Sequence, residues 1–352
     1  MVVIIVLLLQ FNLHAQDVPP ITLHVEAGSL KSQLGARTND ITDLTLTGNL
    51  NGDDIKTIRG MTNLSILNIK GANIVEGGGY YTTRYSTVSG ETYYYYTSNN
   101  ILGESMFRLL SKLKSVTIPD NIIRIEDGAF YGCKGLTSIV VPDGVTSIYS
   151  SAFSGCSSLT SITIPNSITT IGGWAFQDCI GLIDITIPSD VTFIGFGTFQ
   201  GCTGLTSITI PFNITSISSY AFSGCTGLKK IHSKNPTPPT IQSNSFEWID
   251  KTSCKLYVPK ESYSAYWWAW GFDNIIEEEE SSIYSISKDN ISIQPILNGI
   301  SIDVKEQTSI SIYSLSGQIV YQSDINGYTE IGLNRGVYIV RVDNESQKVI
   351  VK

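Results

Sequence analysis

Residues 159–181 read LTSITIPNSITTIGGWAFQDCIG, and residues 205–227 read LTSITIPFNITSISSYAFSGCTG. They are two copies of one 23-residue pattern whose columns run through the middle of the chain. Proline stands at 119, 142, 165, 188 and 211, and phenylalanine at 130, 153, 176, 199 and 222. Cysteine stands at 133, 156, 179, 202 and 225, leucine at 136, 159, 182, 205 and 228, and isoleucine at 139, 162, 185, 208 and 231. The unit is L-x-x-I-x-I-P-x-x-V/I-x-x-I-x-x-x-A-F-x-G-C-x-G. A fixed period in this range, with this Leu/Ile spacing, predicts a solenoid of stacked coils.

The physical reason is burial. Each coil offers about seven inward apolar side chains, each worth roughly 1.5–3 kcal/mol when covered. Ordering each residue costs about 1.5 kcal/mol, so a coil alone is unstable and only a stack can form. The LTSITIP segment alternates with period two and predicts a short strand. Successive strands should pair in parallel about 4.8 Å apart. The proline ends each ladder and turns the chain. The Ala-Phe-x-Gly-Cys segment is expected to return on the other side as a helical turn.

The period extends beyond the regular copies. Leu44 and Leu46 precede Leu67 and Ile69 by 23 residues, and Met106-Phe107 and Leu113 precede Phe130 and Leu136 by the same step. From Ile69 to Ile118 is 49 residues, one period plus 26, so one coil carries an insertion at about 75–100. Leu256 to Pro259 reads as a final strand. The expected stack has about nine strands and is roughly 40 Å long at strand spacing.

With its A-F-x-G-C in every coil, the unit resembles the BspA-like leucine-rich repeat, over about residues 22–276. Residues 41–58, ITDLTLTGNLNGDDIKTI, resemble the N-terminal coil of that family, and residues 254–276 resemble its closing cap. The resemblance implies a leucine-rich repeat solenoid in an extracellular protein. It also implies an adhesin-like role toward host proteins or other bacteria, without naming a ligand.

Residues 277–282, EEEESS, read as a solvated linker. After it the period changes. Segments 291–293, 299–304, 309–315, 318–321, 330–333, 337–342 and 348–351 read as short strands. Turns are expected at Asn298-Gly299, Ser316-Gly317, Asn326-Gly327 and Arg335-Gly336. The pattern predicts a small antiparallel β-sandwich. IYSLSGQIV, GVYIVRV and the terminal KVIVK resemble the C-terminal sorting domain of type IX secretion substrates. That resemblance implies contact with the secretion machinery, cleavage near the linker, and release or attachment to a surface glycolipid. The alternative is a plain immunoglobulin-like accessory domain. The expected division is a signal peptide at 1–15, the capped solenoid at 16–276, a linker at 277–284 and the β-sandwich at 285–352.

Composition narrows the function. The 352 residues carry a net charge of −8 and only 15% charged residues, against 42% hydrophobic. No basic surface large enough to release counterions from nucleic acid is expected, and anionic membranes are disfavoured for the same reason. Membrane contact is expected only through anchoring after export. Residues 2–9, VVIIVLLL, are too short to span a bilayer and read as the apolar core of an export signal ending at Ala15. No Lys or Arg precedes them, and the alternative is a buried first strand. The expected location is secreted or on the outer cell surface.

Five of the six cysteines follow the period. They read as small buried core thiols rather than a metal-ligand row, although adjacent coils bring the sulfurs close enough for an occasional disulfide. After signal removal only His24 and His232 remain, at opposite ends of the solenoid. No zinc, phosphate-loop or nucleophile–histidine motif is present in the sequence, and the carboxylates are scattered. Asp53-Asp54 falls at an expected helix start, where it would cap. A non-enzymatic chain without metal or cofactor is the expectation.

Binding residues are sought where coils differ. The outward strand positions Thr117, Val140, Thr163, Thr186 and Thr209, beside Ser115, Ser138, Ser161, Asp184 and Ser207, form a flat polar face with no hot spot. Ahead of the Ala-Phe pair, Tyr149, Trp174, Phe196 and Tyr220 form an exposed aromatic edge or fill gaps between coils. The insertion, GGGYYTTRYSTVSGETYYYYT at 77–97, reads as a hairpin leaving the stack. It carries Tyr80, Tyr81, Tyr85, Tyr93, Tyr94, Tyr95 and Tyr96, which offer contact area at low entropic cost; the alternative is a loose or coil-packed hairpin. Trp267, Trp268 and Trp270 read mainly as cover for the last coil. These features point to an extracellular interaction or adhesion protein. A glycan-binding surface protein for nutrient capture is the alternative.

Overall fold

The computed structural model describes residues 19–278, 291–296, 299–314, 318–333, 336–342 and 345–351. The export signal expected at 1–15, residues 279–284 of the linker, and Asn298, Ser316-Gly317 and Arg335 of the expected turns lie outside them. The chain divides into two compact units, Met1–Ile276 and Glu277–Lys352.

The first unit is a parallel solenoid. Strands Ile21–Val25, Asp43–Leu50, Ile66–Ile74, Ser115–Thr117, Ser138–Val140 and Ser161–Thr163 follow one another across one sheet. Register keeps the repeat: Ile162 lies opposite Ile139, and Leu44 opposite Leu67. Leu67 pairs with Val116 directly, so the sheet passes over the insertion without losing a rung. One coil then contributes only the bridge Thr186 to Thr209. The ladder resumes at Ser207–Ile210, Lys230–Ser233, Lys255–Pro259 and Ile275–Glu278. Ile21–Val25 adds a coil ahead of Leu44, where the periodicity begins.

A second ladder runs along another side of the coil. Ile101–Leu102, Arg124–Ile125, Ser147–Ile148 and Thr170–Ile171 pair in parallel, as do Phe193–Ile194, Ser216–Ile217 and Thr240–Ile241. The V/I-x-x-I half of the unit makes these rungs. Its two-residue strands are too short for alternation to reveal in sequence.

The Ala-Phe-x-Gly-Cys segment is not the expected helical turn. Its amides alternate between partners in the same coil and in the next. Cys133 N donates to Phe130 O at 3.1 Å, while Phe130 N donates to Ala152 O at 2.8 Å and Gly132 N to Ser154 O at 2.8 Å. A third backbone ladder therefore joins the coils, and a continuous helix would forfeit those inter-coil bonds. Inside it the Phe107, Phe130, Phe153, Phe176, Phe199, Phe222 and Phe246 rings stack with centroids 5.3–5.6 Å apart.

Both ends are closed. At the first, Asp54 and Asn51 form a capping box on the helix Gly52–Arg59. The buried Asp54 carboxylate also accepts from Gly28 N at 2.7 Å and Leu30 N at 2.9 Å, tying the opening coil down. At the other end, helix Tyr263–Trp270 buries Tyr266 and Trp270. Trp270 lies 5.1 Å from the last ring of the phenylalanine stack, Phe246, and its Nε1–H donates to Pro239 O at 2.9 Å.

The second unit is antiparallel. Gly299–Ser314 and Ile319–Gly332 form one long hairpin, where four shorter strands are expected from the sequence. Gly299–Ser314 shifts register between Val304 and Thr308. Its first half pairs with Ile291–Ile296 and its second with Gly336–Val342, which pairs in turn with Glu345–Val351. Asn326-Gly327 lies within a strand instead of marking a turn. Ile293, Ile302, Ile312, Ile325 and Val340 from these strands share one core.

Candidate interaction surface

The insertion pairs Thr82–Tyr85 with Thr92–Tyr95, Arg84 facing Tyr93 and Thr83 facing Tyr94. Alternation gives the hairpin two faces. One turns to the stack: Thr82 Oγ1 accepts from Arg59 Nη2 at 3.1 Å, Arg84 lies 3.8 Å from the Glu104 carboxylate, and Tyr95 packs on the core. The other carries Tyr85, Tyr94 and Tyr96, all exposed. Tyr80 joins them, its ring edge-on to Tyr94 at 5.0 Å and to Tyr96 at 6.5 Å. The Lys56 ammonium sits 4.7 Å from the Tyr80 ring, a cation–π contact the sequence did not suggest.

The hairpin leaves the stack only at its tip. Its base is docked on the helix Gly52–Arg59: Gly52 N donates to Gly77 O at 3.0 Å, and Gly79 N to Asp53 Oδ1 at 3.2 Å. A Cβ on Gly52 would collide with Gly79 O, so glycine is needed for this approach. Arg59 holds the next coil by donating to the carbonyls of Ser105 and Met106. Burial lowers its pKa from the usual guanidinium range. Tyr81 must be removed from the binding set. It is 3% exposed, its hydroxyl donates to Glu104 O at 2.8 Å, and burial pushes its pKa up. Tyr95 is half-buried for the same packing reason, while Tyr93 stays exposed.

Trp174, Phe196 and Tyr220 form a contiguous ridge. The centroids of Trp174 and Phe196 are 4.9 Å apart and those of Phe196 and Tyr220 are 5.4 Å apart. Trp174 and Phe196 are exposed, Tyr220 is half-buried, and Tyr149 stands exposed one coil earlier. The backbone column Ser105, Gly128, Ser151, Trp174, Gly197 and Tyr220 is left-handed at every step, with φ from 54° to 59°. Glycine meets that geometry without penalty, whereas a tryptophan or tyrosine is strained there. Gly197 also vacates the space used by the indole, since a Cβ there would lie 2.7 Å from Trp174 Cδ1.

Hairpin and ridge share one corner of the solenoid. Glu104, Asp127, Ser150, Gly173 and Phe196 are one column at 23-residue steps. The hairpin grips Glu104 through Tyr81 and Arg84, two coils before Tyr149. Between them lie Glu126 and Asp127. Glu126 pairs with Arg124 at 2.7 Å, and burial raises its carboxyl pKa.

The C-terminal tryptophans divide. Trp270 is cover, as expected, but Trp267 and Trp268 are exposed and meet edge-on at 4.8 Å. Helix Tyr263–Trp270 can bury only the face holding Tyr266 and Trp270. Trp248, at φ 64°, is also exposed; it stands two residues after Phe246, where the regular coils carry the left-handed Gly132, Gly155, Gly201 and Gly224. The outward strand face is flat and polar in the regular coils: Ser138, Val140, Ser161 and Thr163 are exposed around buried Ile139 and Ile162.

Residues 85–206 and 192–269 match the BspA type leucine rich repeat region, in six copies, and residues 294–352 match a secretion system C-terminal sorting domain. Among solved structures, the chain is 32% identical to a leucine-rich repeat protein of T. pallidum, covering 37% of this chain and 65% of that one, with a TM-score of 0.35. The pneumococcal vaccine antigen PcpA is 22% identical over 68% of this chain and 58% of its own, with a TM-score of 0.45. A leucine-rich repeat protein from Eubacterium ventriosum is 22% identical over 58% and 65%, with a TM-score of 0.39. The chain therefore spans less than two thirds of each, from 58% to 65%. No curated protein matches it.

Proposed function

The chain belongs to the BspA-type leucine-rich repeat family, and we propose that it is an adhesin whose solenoid corner, built from the tyrosine hairpin and the Trp174–Phe196–Tyr220 ridge, grips an extracellular protein. Its type IX sorting domain, over residues 294–352, makes it a secreted or cell-surface protein. The repeat scaffold is of the kind that presents surfaces for protein interaction. We read residues 1–15 as the export signal and 277–284 as the linker at which the sorting unit would be cleaved.

The observation that carries the adhesin reading is the concentration of exposed rings on one corner, set among ordered anchors. The docked base and the Arg59 contacts fix the hairpin before any partner arrives, so little entropy is lost on binding. Tyrosine and tryptophan are the side chains that most often anchor protein interfaces. The ridge planes are inclined by 56° and 61° to one another. They share no common plane on which a sugar chain could lie flat, which favours a protein partner over a neutral glycan.

The test is surface plasmon resonance of the full chain against a panel of extracellular-matrix proteins, intact bacterial cells and neutral polysaccharides. Replacing Tyr80, Tyr85, Tyr94 and Tyr96 together by Ser, or Trp174 and Phe196 by Ser, should weaken a saturable protein interaction at least tenfold with the fold retained by circular dichroism. Unchanged binding in both variants would remove this corner as the site. Binding confined to the polysaccharides would replace adhesion by glycan capture.

A further inference from the structure

The cations of the solenoid are segregated. No Lys or Arg occurs from 135 to 228, after which residues 229–260 carry six lysines against Glu247 and Asp250. Two of the six meet on the outward face of the last coils. Lys230 and Lys255 are register partners on neighbouring parallel strands, both exposed, which puts their Cα atoms about 4.8 Å apart. None of the ion pairs among the described residues involves either. Two residues further along the same strands, His232 is the register partner of Tyr257. Their rings stack at 4.4 Å and 4°. Rings stacked face to face turn their polar edges, not their faces, outward.

We propose that this face is a second binding site, distinct from the aromatic corner, and that it takes an acidic polysaccharide. Like charges directly opposite on adjacent strands are destabilising, and two unpaired lysines in that position call for an anion. The preceding strand adds Ser207 and Thr209 in the same two rows, and the coil before it adds Thr186 through its bridge to Thr209. The result is a short patch of hydroxyls, Thr186, Ser207 and Thr209, beside two ammonium groups, with one coil every 4.8 Å or so along the stack. An extended polymer bearing hydroxyls and a repeated carboxylate or sulfate matches both features. A folded protein partner does not, because the patch has no buried aromatic or aliphatic anchor at its cationic end. Asp184, two coils earlier in the lysine row, bounds the cationic patch on the side of the regular coils.

The experiment is isothermal titration of the full chain at low ionic strength with heparin, polygalacturonate, neutral dextran and poly-L-glutamate. Heparin, polygalacturonate or both should bind, and heparin alone would assign the anion as sulfate. The variant K230S/K255S should weaken that binding at least tenfold without lowering the melting temperature, since it removes a repulsion. Trp174→Ser should leave it unchanged, which separates this site from the aromatic corner. Failure of both acidic polysaccharides to bind, equal binding of dextran or poly-L-glutamate, or an undiminished affinity in K230S/K255S would overturn the proposal.

Discussion

The Cys156 thiol donates to the carbonyl oxygen of Phe130, 3.2 Å away in the preceding coil. Cys133, Cys179, Cys202 and Cys225 repeat the contact at 3.0–3.2 Å with the phenylalanine one coil back. The cysteine column is therefore a row of weak inter-coil hydrogen bonds as well as small apolar filling. No disulfide links these sulfurs, and all six thiols are free and buried.

Burial pushes the thiols of Cys133, Cys179 and Cys225 up to about 12, away from the reactive thiolate form. The native protein should thus resist thiol reagents at pH 8 and release all six thiols only in denaturant. Absorbance of a chromogenic disulfide reagent, with and without guanidinium, measures this. Fast labelling of more than one native thiol would contradict the sealed column.

The same shifts set an alkaline limit. An unfolded thiol titrates near 9.0, while the buried ones hold their protons to about 12. The folded state binds more protons in that window, so stability is complete below pH 9 and falls as pH rises toward 12. Tyr266, pushed up by burial to about 12, acts in the same sense. Thermal melts from pH 7 to 11 should be level at first and then decline. The decline should be shallower in Cys156→Ala/Cys179→Ala.

Trp174 pays for its place in the left-handed column with backbone strain of about 1 kcal/mol or more. Trp174→Gly should relieve it and leave denaturant stability unchanged or slightly higher, while weakening the proposed protein interaction. Gly197→Ala should do the reverse and destabilise by about 1–2 kcal/mol, because it adds both a positive-φ side chain and a clash with the indole. Urea melts of the two variants discriminate them. A large loss of stability in Trp174→Gly would mean that the ring serves packing instead.

Arg59 is the clasp between the helix, the hairpin and the next coil. Arg59→Ala leaves the Ser105 and Met106 carbonyls without their guanidinium donor, at a cost of about 1–3 kcal/mol. Limited proteolysis with chymotrypsin should then cut faster at Tyr85 and Tyr93, with the solenoid core intact. Equal cleavage rates would show that the glycine contacts at residues 77–79 hold the hairpin unaided.

Much of this protein is legible in its sequence, because a solenoid converts period directly into neighbour relations. Once Ile139 and Ile162 occupy the same column, the strand register, the buried phenylalanines and the outward Ser and Thr rows follow. The sorting domain is readable in its terminal strands, Gly336–Val342 and Glu345–Val351, but not in the long hairpin before them, where Asn326-Gly327 reads as a turn and stays in the strand. What only the tertiary structure decides is where the period breaks or where two columns meet. The 49 residues between Ile69 and Ile118 announce an insertion. Whether Tyr81 points to solvent or into the core depends on the gap beside Glu104 and on Arg59, which no local pattern encodes. The second ladder and the inter-coil bonds of the Ala-Phe turn are likewise pairings between coils. Alternation in two-residue strands is too brief to predict them. Lys230 beside Lys255 is the same case: the sequence separates them by 25 residues, off the regular period, and only the packing of the last coil lays one against the other.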